Sequence, residues 1–193
     1  MNTSISELPW VSRLRSRPVL SLIGVVAVLL AITFGVIAWA ISGNASGPGD
    51  TNQVVNTAGR YSFEAPTGWS ATQQGRTTTL VSPDQATVIT FGAGRNGPLP
   101  VAGTLFFQQV AGNYRDVAVI SPQAKQVGPV PALIYGGVGA NAHNTQIRFL
   151  AITVQNNPTN YGIAVFTEAD SDPNVVLPPV NQVVESFRAL PPS

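Results

Sequence analysis

The chain has no cysteine, one histidine, one methionine and a single lysine, and charged residues make up only 10% of its 193 residues. Without cysteine there are neither disulfides nor thiolate metal ligands, so cysteine usage carries no mark of a redox compartment. With His143 as the one histidine, a Ser-His-Asp triad or a transition-metal site has a single imidazole to draw on. The sparse charge is also balanced: from Ser42 onward seven basic residues face eight acidic ones, a formal net charge of −1. Nucleic-acid binding, which needs a clustered basic surface, is excluded on that ground.

What the chain does have is an uncharged apolar run from Val19 to Ile41, with Ser21 and Thr33 as its polar side chains. At about 1.5 Å per helical residue it is long enough to cross about 30 Å of hydrocarbon, so the sequence predicts a single transmembrane helix over 19–41. Arg13, Arg15 and Arg17 precede it and no charge follows until Asp50. Basic residues collect on the cytoplasmic side, which places tail 1–18 in the cytoplasm and the larger part outside the plasma membrane. Trp10 and Trp39 join the three arginines as expected anchors at the two faces of the lipid bilayer. Gly24, Ala27, Ala31, Gly35 and Ala38 recur every three or four residues, a stripe of small side chains that lets a partner helix of an integral membrane complex approach closely. A cleaved signal peptide is the competing reading, since Ala38-Trp39-Ala40 resembles a cleavage site, but its apolar region is usually about 7 to 15 residues.

Residues 42–59 are small and polar and read as a flexible linker, leaving 60–193 for one globular domain. Alternating or apolar stretches at 60–66, 76–81, 86–91, 128–138, 145–154 and 161–167 read as six strands. Ala102, Leu105, Phe106, Val110 and Tyr114 share the face of one predicted helix, and Val180, Val183, Val184 and Phe187 that of a second beginning near Pro179. The expected class is therefore α+β: the transmembrane helix plus an antiparallel sheet of about six strands flanked by helices.

Three segments resemble landmarks of the PsbP-like domain: Tyr61-Ser62-Phe63-Glu64-Ala65-Pro66-Thr67-Gly68-Trp69, Pro129-Val130-Pro131-Ala132 entering a strand, and Val184-Glu185-Ser186-Phe187-Arg188. That superfamily includes extrinsic proteins of photosystem II, Ran-binding Mog proteins and small actinobacterial lipoproteins of the LpqN type. The resemblance spans nearly the whole outer domain and implies an accessory or binding module without a shared catalytic set. The chain departs from LpqN-type proteins in having no cysteine to carry a lipid.

The chemical motifs are weak. Gly92-Ala93-Gly94-Arg95-Asn96-Gly97 matches a dinucleotide fingerprint, but Pro98 and Pro100 precede the next helix and Asp116 lies before the following strand rather than at its end. His143 sits in a turn with no nucleophile elbow nearby. Glu168, Asp170 and Asp172 alternate as acids that suit a cation, yet Pro173 breaks the EF-hand pattern, and Asp172 reads more simply as a helix cap. Trp69, Phe106, Phe107, Tyr114 and Tyr135 line either a groove or the core. No catalytic residue, cofactor or metal is expected. The expectation is a membrane-anchored, non-enzymatic accessory subunit or assembly factor of a membrane complex, in its most concrete form the actinobacterial respiratory supercomplex of complexes III and IV. The alternative is an extracytoplasmic binder of envelope lipid, glycolipid or peptide.

Overall fold

The structure, a computed structural model, describes residues 52–191. Short antiparallel strands β1 (Gln53–Asn56) and β2 (Tyr61–Glu64) come first, joined later by β10 (Arg188–Ala189) in a small sheet of order β1-β2-β10. Between them run β3 (Ser70–Gln74), β4 (Thr77–Val81), β5 (Thr87–Asn96), helix α1 (Leu99–Ala111), β6 (Arg115–Val127), β7 (Val130–Ala140), β8 (Gln146–Asn156), β9 (Thr159–Glu168) and helix α2 (Pro173–Glu185). The seven longer strands form one antiparallel sheet of order β3-β4-β5-β9-β8-β7-β6.

This corrects the expected class. The described residues are mostly β, with ten strands in two sheets and two helices, not an α+β domain of about six strands behind a transmembrane helix. Among them no helix is long and apolar enough to cross a membrane. The expected span, Val19 to Ile41, lies outside the described residues. The strands that sequence patterning overlooks are β1, β3, β6 and β10, and the reason is burial. β3 is exposed at all five positions and β6 at most of its length, so neither needs the apolar alternation by which a half-buried strand is recognised. β1 falls inside the stretch read as linker. α2 starts at Pro173 rather than near Pro179. Its Asp172 cap and first-turn proline open it, and the helix carries through Pro178 and Pro179, which have no N–H to donate to the carbonyls of Asn174 and Val175, two exposed residues.

Strand β8 shows how the core divides. Ile147, Phe149 and Ala151 point to one face of the large sheet, while Leu150, Ile152 and Val154 point to the other, and all six are buried. On the second face the small sheet and α2 close over an aromatic stack: the Phe63 and Phe91 rings lie 4.1 Å apart, Phe187 is 6.2 Å beyond Phe91, and Tyr61 sits about them. Burial of each such ring contributes about 1.5–3 kcal/mol. On the first face α1 covers β7, β8 and β9, with Val110, Tyr114 and Phe149 at the centre of a smaller cluster. The glycines of the strands make room: Phe106 lies against Gly162, where an added Cβ would meet its ring at 2.7 Å.

Candidate functional site

One buried charge stands out. Arg148 of β8 is only 5% exposed and points to the α2 side of the sheet, where it donates a hydrogen bond to the Ala169 carbonyl. Burial pushes its guanidinium pKa down, and the carboxylate of Asp170 works in the opposite direction. Beside it, burial and then the charge of Asp170 hold the Glu168 carboxyl above its ordinary range. Leu150, Val165, Val176, Leu177 and Val180 line the cleft that runs from Arg148 beneath α2. The space enclosed there is about 20 Å³, room for about one water molecule. Small-molecule pockets are typically about 300–1,000 Å³, so in this shape the cleft is a packed seam rather than a ligand chamber.

The residues singled out in the sequence do not converge. Trp10, Arg13, Arg15, Arg17, Gly24, Ala27, Ala31, Gly35, Ala38 and Trp39 lie outside the described residues. Gly92 to Asn96 are the end of strand β5, with a register shift against β9 between Ala93 and Asn96. There Gly94 lets the strands approach closely, since a Cβ would meet the Asn160 carbonyl at 2.9 Å, and the Gly97 carbonyl accepts from Asn160 Nδ2 at 3.0 Å. These glycines serve strand pairing. His143 is exposed in the β7–β8 turn, where Asn141 Oδ1 accepts from the backbone N–H groups of His143 and Thr145. Asp172 caps α2 by accepting from the Asn174 N–H at 2.9 Å, as the sequence suggests, while Asp170 is exposed beside it. The five aromatic residues are split by the sheet. Trp69 packs half-buried against the α2 side, whereas Phe107 stacks on Tyr135 at 4.8 Å and Tyr114 on Phe149 at 5.2 Å beneath α1.

Two features escape sequence reasoning. Arg148, a lone charge in the apolar run of β8, is a signal of a special environment. The other is the outward face of α1. The periodicity places Leu105 on the buried side, but the helix buries Gly103 and Val110 and turns Val101 and Leu105 outward, 56% and 46% exposed. Gly103 decides this: a Cβ there would come within 2.8 Å of Leu133, so its absence seats that side of the helix on β7. All thirteen residues of α1 are uncharged, which leaves Val101 and Leu105 on a solvent face that ordinarily carries charge.

The fold is that of PsbP-like domains. The solution structure of cyanobacterial PsbP (CyanoP) from Synechocystis superposes with a TM-score of 0.53 at 16% identity, over 77% of this chain and 97% of that one. A crystal structure from Bacteroides thetaiotaomicron matches with a TM-score of 0.51 at 12% identity, over 73% of this chain and 49% of that one, so the chain spans about half of its length. LpqN of Mycobacterium tuberculosis, described as involved in cell envelope biogenesis, gives a TM-score of 0.47 at 14% identity, over 74% of this chain and 87% of that one. No protein-family model matches the chain and no curated protein matches its sequence. The likeness is one of fold.

Proposed function

We propose that the chain is a non-enzymatic accessory or binding module that acts by docking its extracytoplasmic domain on a protein partner. The observation that carries this reading is the outward face of α1, where Val101 and Leu105 lie one helical turn apart on an element without a single charge. The partner class is the outer part of an integral membrane complex, and the respiratory supercomplex of complexes III and IV in an actinobacterium is its most specific form. The α2 cleft, which encloses about 20 Å³, has no room for an envelope lipid, glycolipid or small peptide.

The test is affinity purification of the full chain from mild detergent, with identification of the co-purifying proteins. Subunits of one membrane complex are expected, and their recovery should fall at least about tenfold with the double substitution Val101→Glu and Leu105→Glu, which leaves the core untouched. Recovery of the same partners by the double variant would remove α1 as the docking face.

A further inference from the structure

The two edges of the seven-stranded sheet are finished differently. At one end β6 is guarded in several ways at once: its pairing with β7 shifts register between Arg115 and Ala118 and again between Ile120 and Gln123, Pro122 interrupts it, and Asp116 takes a left-handed backbone with φ 53°. Arg115, Asp116 and Lys125 add charge. These are the devices by which proteins keep an edge strand from pairing with another chain. At the other end β3 has none of them. Its register with β4 runs without a break from Ser70↔Val81 to Gln74↔Thr77, all five residues are exposed, and Ser-Ala-Thr-Gln-Gln contains neither charge nor proline. The outward N–H and C=O groups of such a strand are a template for one more strand.

We infer that β3 is the seam of a two-fold dimer, pairing antiparallel with β3 of a second copy of this chain. The strand is complementary to itself. With the two-fold axis at Thr72, that residue faces its own counterpart, Ala71 faces Gln73 and Ser70 faces Gln74, so no like charges meet and a favourable Thr–Thr pair lies at the centre. The nearest charge, Arg76, sits in the turn beyond Gln74, so the two copies of it stand at opposite ends of the seam. The neighbourhood continues the match on both faces. On one, Thr72 opens a row with Thr79 and Thr90 across β4 and β5. On the other, Gln73 Nε2 donates to the Val55 carbonyl at 3.1 Å, which ties β3 to Val55, itself 43% exposed. α1 lies over β7 to β9, away from this edge, so its outward face stays free and the dimer is independent of the docking reading above. A five-residue seam is small, and the dimer belongs with the weaker, reversible interfaces.

The absence of cysteine makes the test clean. The full chain carrying Thr72→Cys, oxidised in mild detergent, should form a disulfide-linked dimer, because facing residues of an antiparallel pair hold their Cβ atoms about 4.5–5.5 Å apart, close to disulfide range. Ala118→Cys on the guarded edge should remain monomeric under the same conditions. Thr72→Lys should raise the dimer dissociation constant measured by sedimentation at least about tenfold, by setting like charges face to face, with an unchanged melting profile showing that the exposed edge tolerates the lysine. Equal cross-linking of the Thr72→Cys and Ala118→Cys chains, or a sedimentation profile indifferent to Thr72→Lys, overturns the inference. Cross-linking of the Thr72→Cys chain to a different protein in place of a second copy also overturns it.

Discussion

The face of the large sheet that receives the small sheet and α2 and the face that receives α1 are built from the same strands, residue by alternate residue, yet they close to different degrees. On the α2 side, Tyr61, Phe63, Phe91 and Phe187 are at most 2% exposed, and the Tyr61 hydroxyl donates to Thr78 Oγ1 at 2.9 Å. On the α1 side one uncharged helix covers β7 to β9, Phe106 and Phe107 stay half-buried, and the strip of β4 and β5 carrying Thr79, Thr90 and Val88 is half-exposed. The Tyr114 hydroxyl there is buried and makes no hydrogen bond among the described residues. The first face holds the domain together. The second is covered less completely, and Val101 and Leu105 of its helix stay in water.

The contrast can be broken most severely at Phe91. Phe91→Ala should cost about 3–5 kcal/mol in urea unfolding, against about 1–2 kcal/mol for Phe107→Ala, whose ring is only partly buried; equal losses would mean that the two faces contribute alike. Next comes Gly137→Ala: its Cβ would stand 2.5 Å from the Phe149 ring, and the resulting overpacking beneath α1 should cost about 1–3 kcal/mol in the same experiment. The tyrosines sharpen the comparison chemically. Tyr61→Phe should lose about 1 kcal/mol with its hydrogen bond, while Tyr114→Phe, which removes an unpaired hydroxyl, should be neutral or slightly stabilising.

Alkaline titration tests the same pair. Burial holds the phenols of Tyr61, Tyr114 and Tyr161 above their ordinary value. The unfolded chain therefore releases these protons first as pH rises: the stabilising difference is complete below about pH 10 and is lost above it. Tyr114→Phe should flatten that loss in unfolding experiments carried from about pH 9 to pH 11. The smallest expected effect on stability is at the outward face of α1, where Leu105→Glu should change unfolding by less than about 0.5 kcal/mol while reducing partner recovery.

Much of the domain was legible in the residues. The runs of β7, β8 and β9 are apolar or alternating because they lie in the middle of the sheet with both faces covered, and the Asp172 cap follows from local chemistry. The edge strands were hidden because a strand that buries nothing needs no pattern. The rotation of α1 was hidden too: a period of 3.6 finds a stripe, but Leu105 and Phe107 compete for it, and only the seat that Gly103 provides against Leu133 decides between them. Arg148 was missed as well: a single charge in an apolar strand does not reveal that α2 folds over it.

The balance of charge, the lack of thiol chemistry, the central strands and the two helical segments can be read from the residues alone, because each follows from composition or from contacts between near neighbours. The tertiary structure alone decided which strands stand at the edges, that one edge is guarded and the other bare, and which face of α1 meets water. Those properties depend on what packs against a segment from elsewhere in the chain, and a residue's own neighbours in sequence do not carry that information.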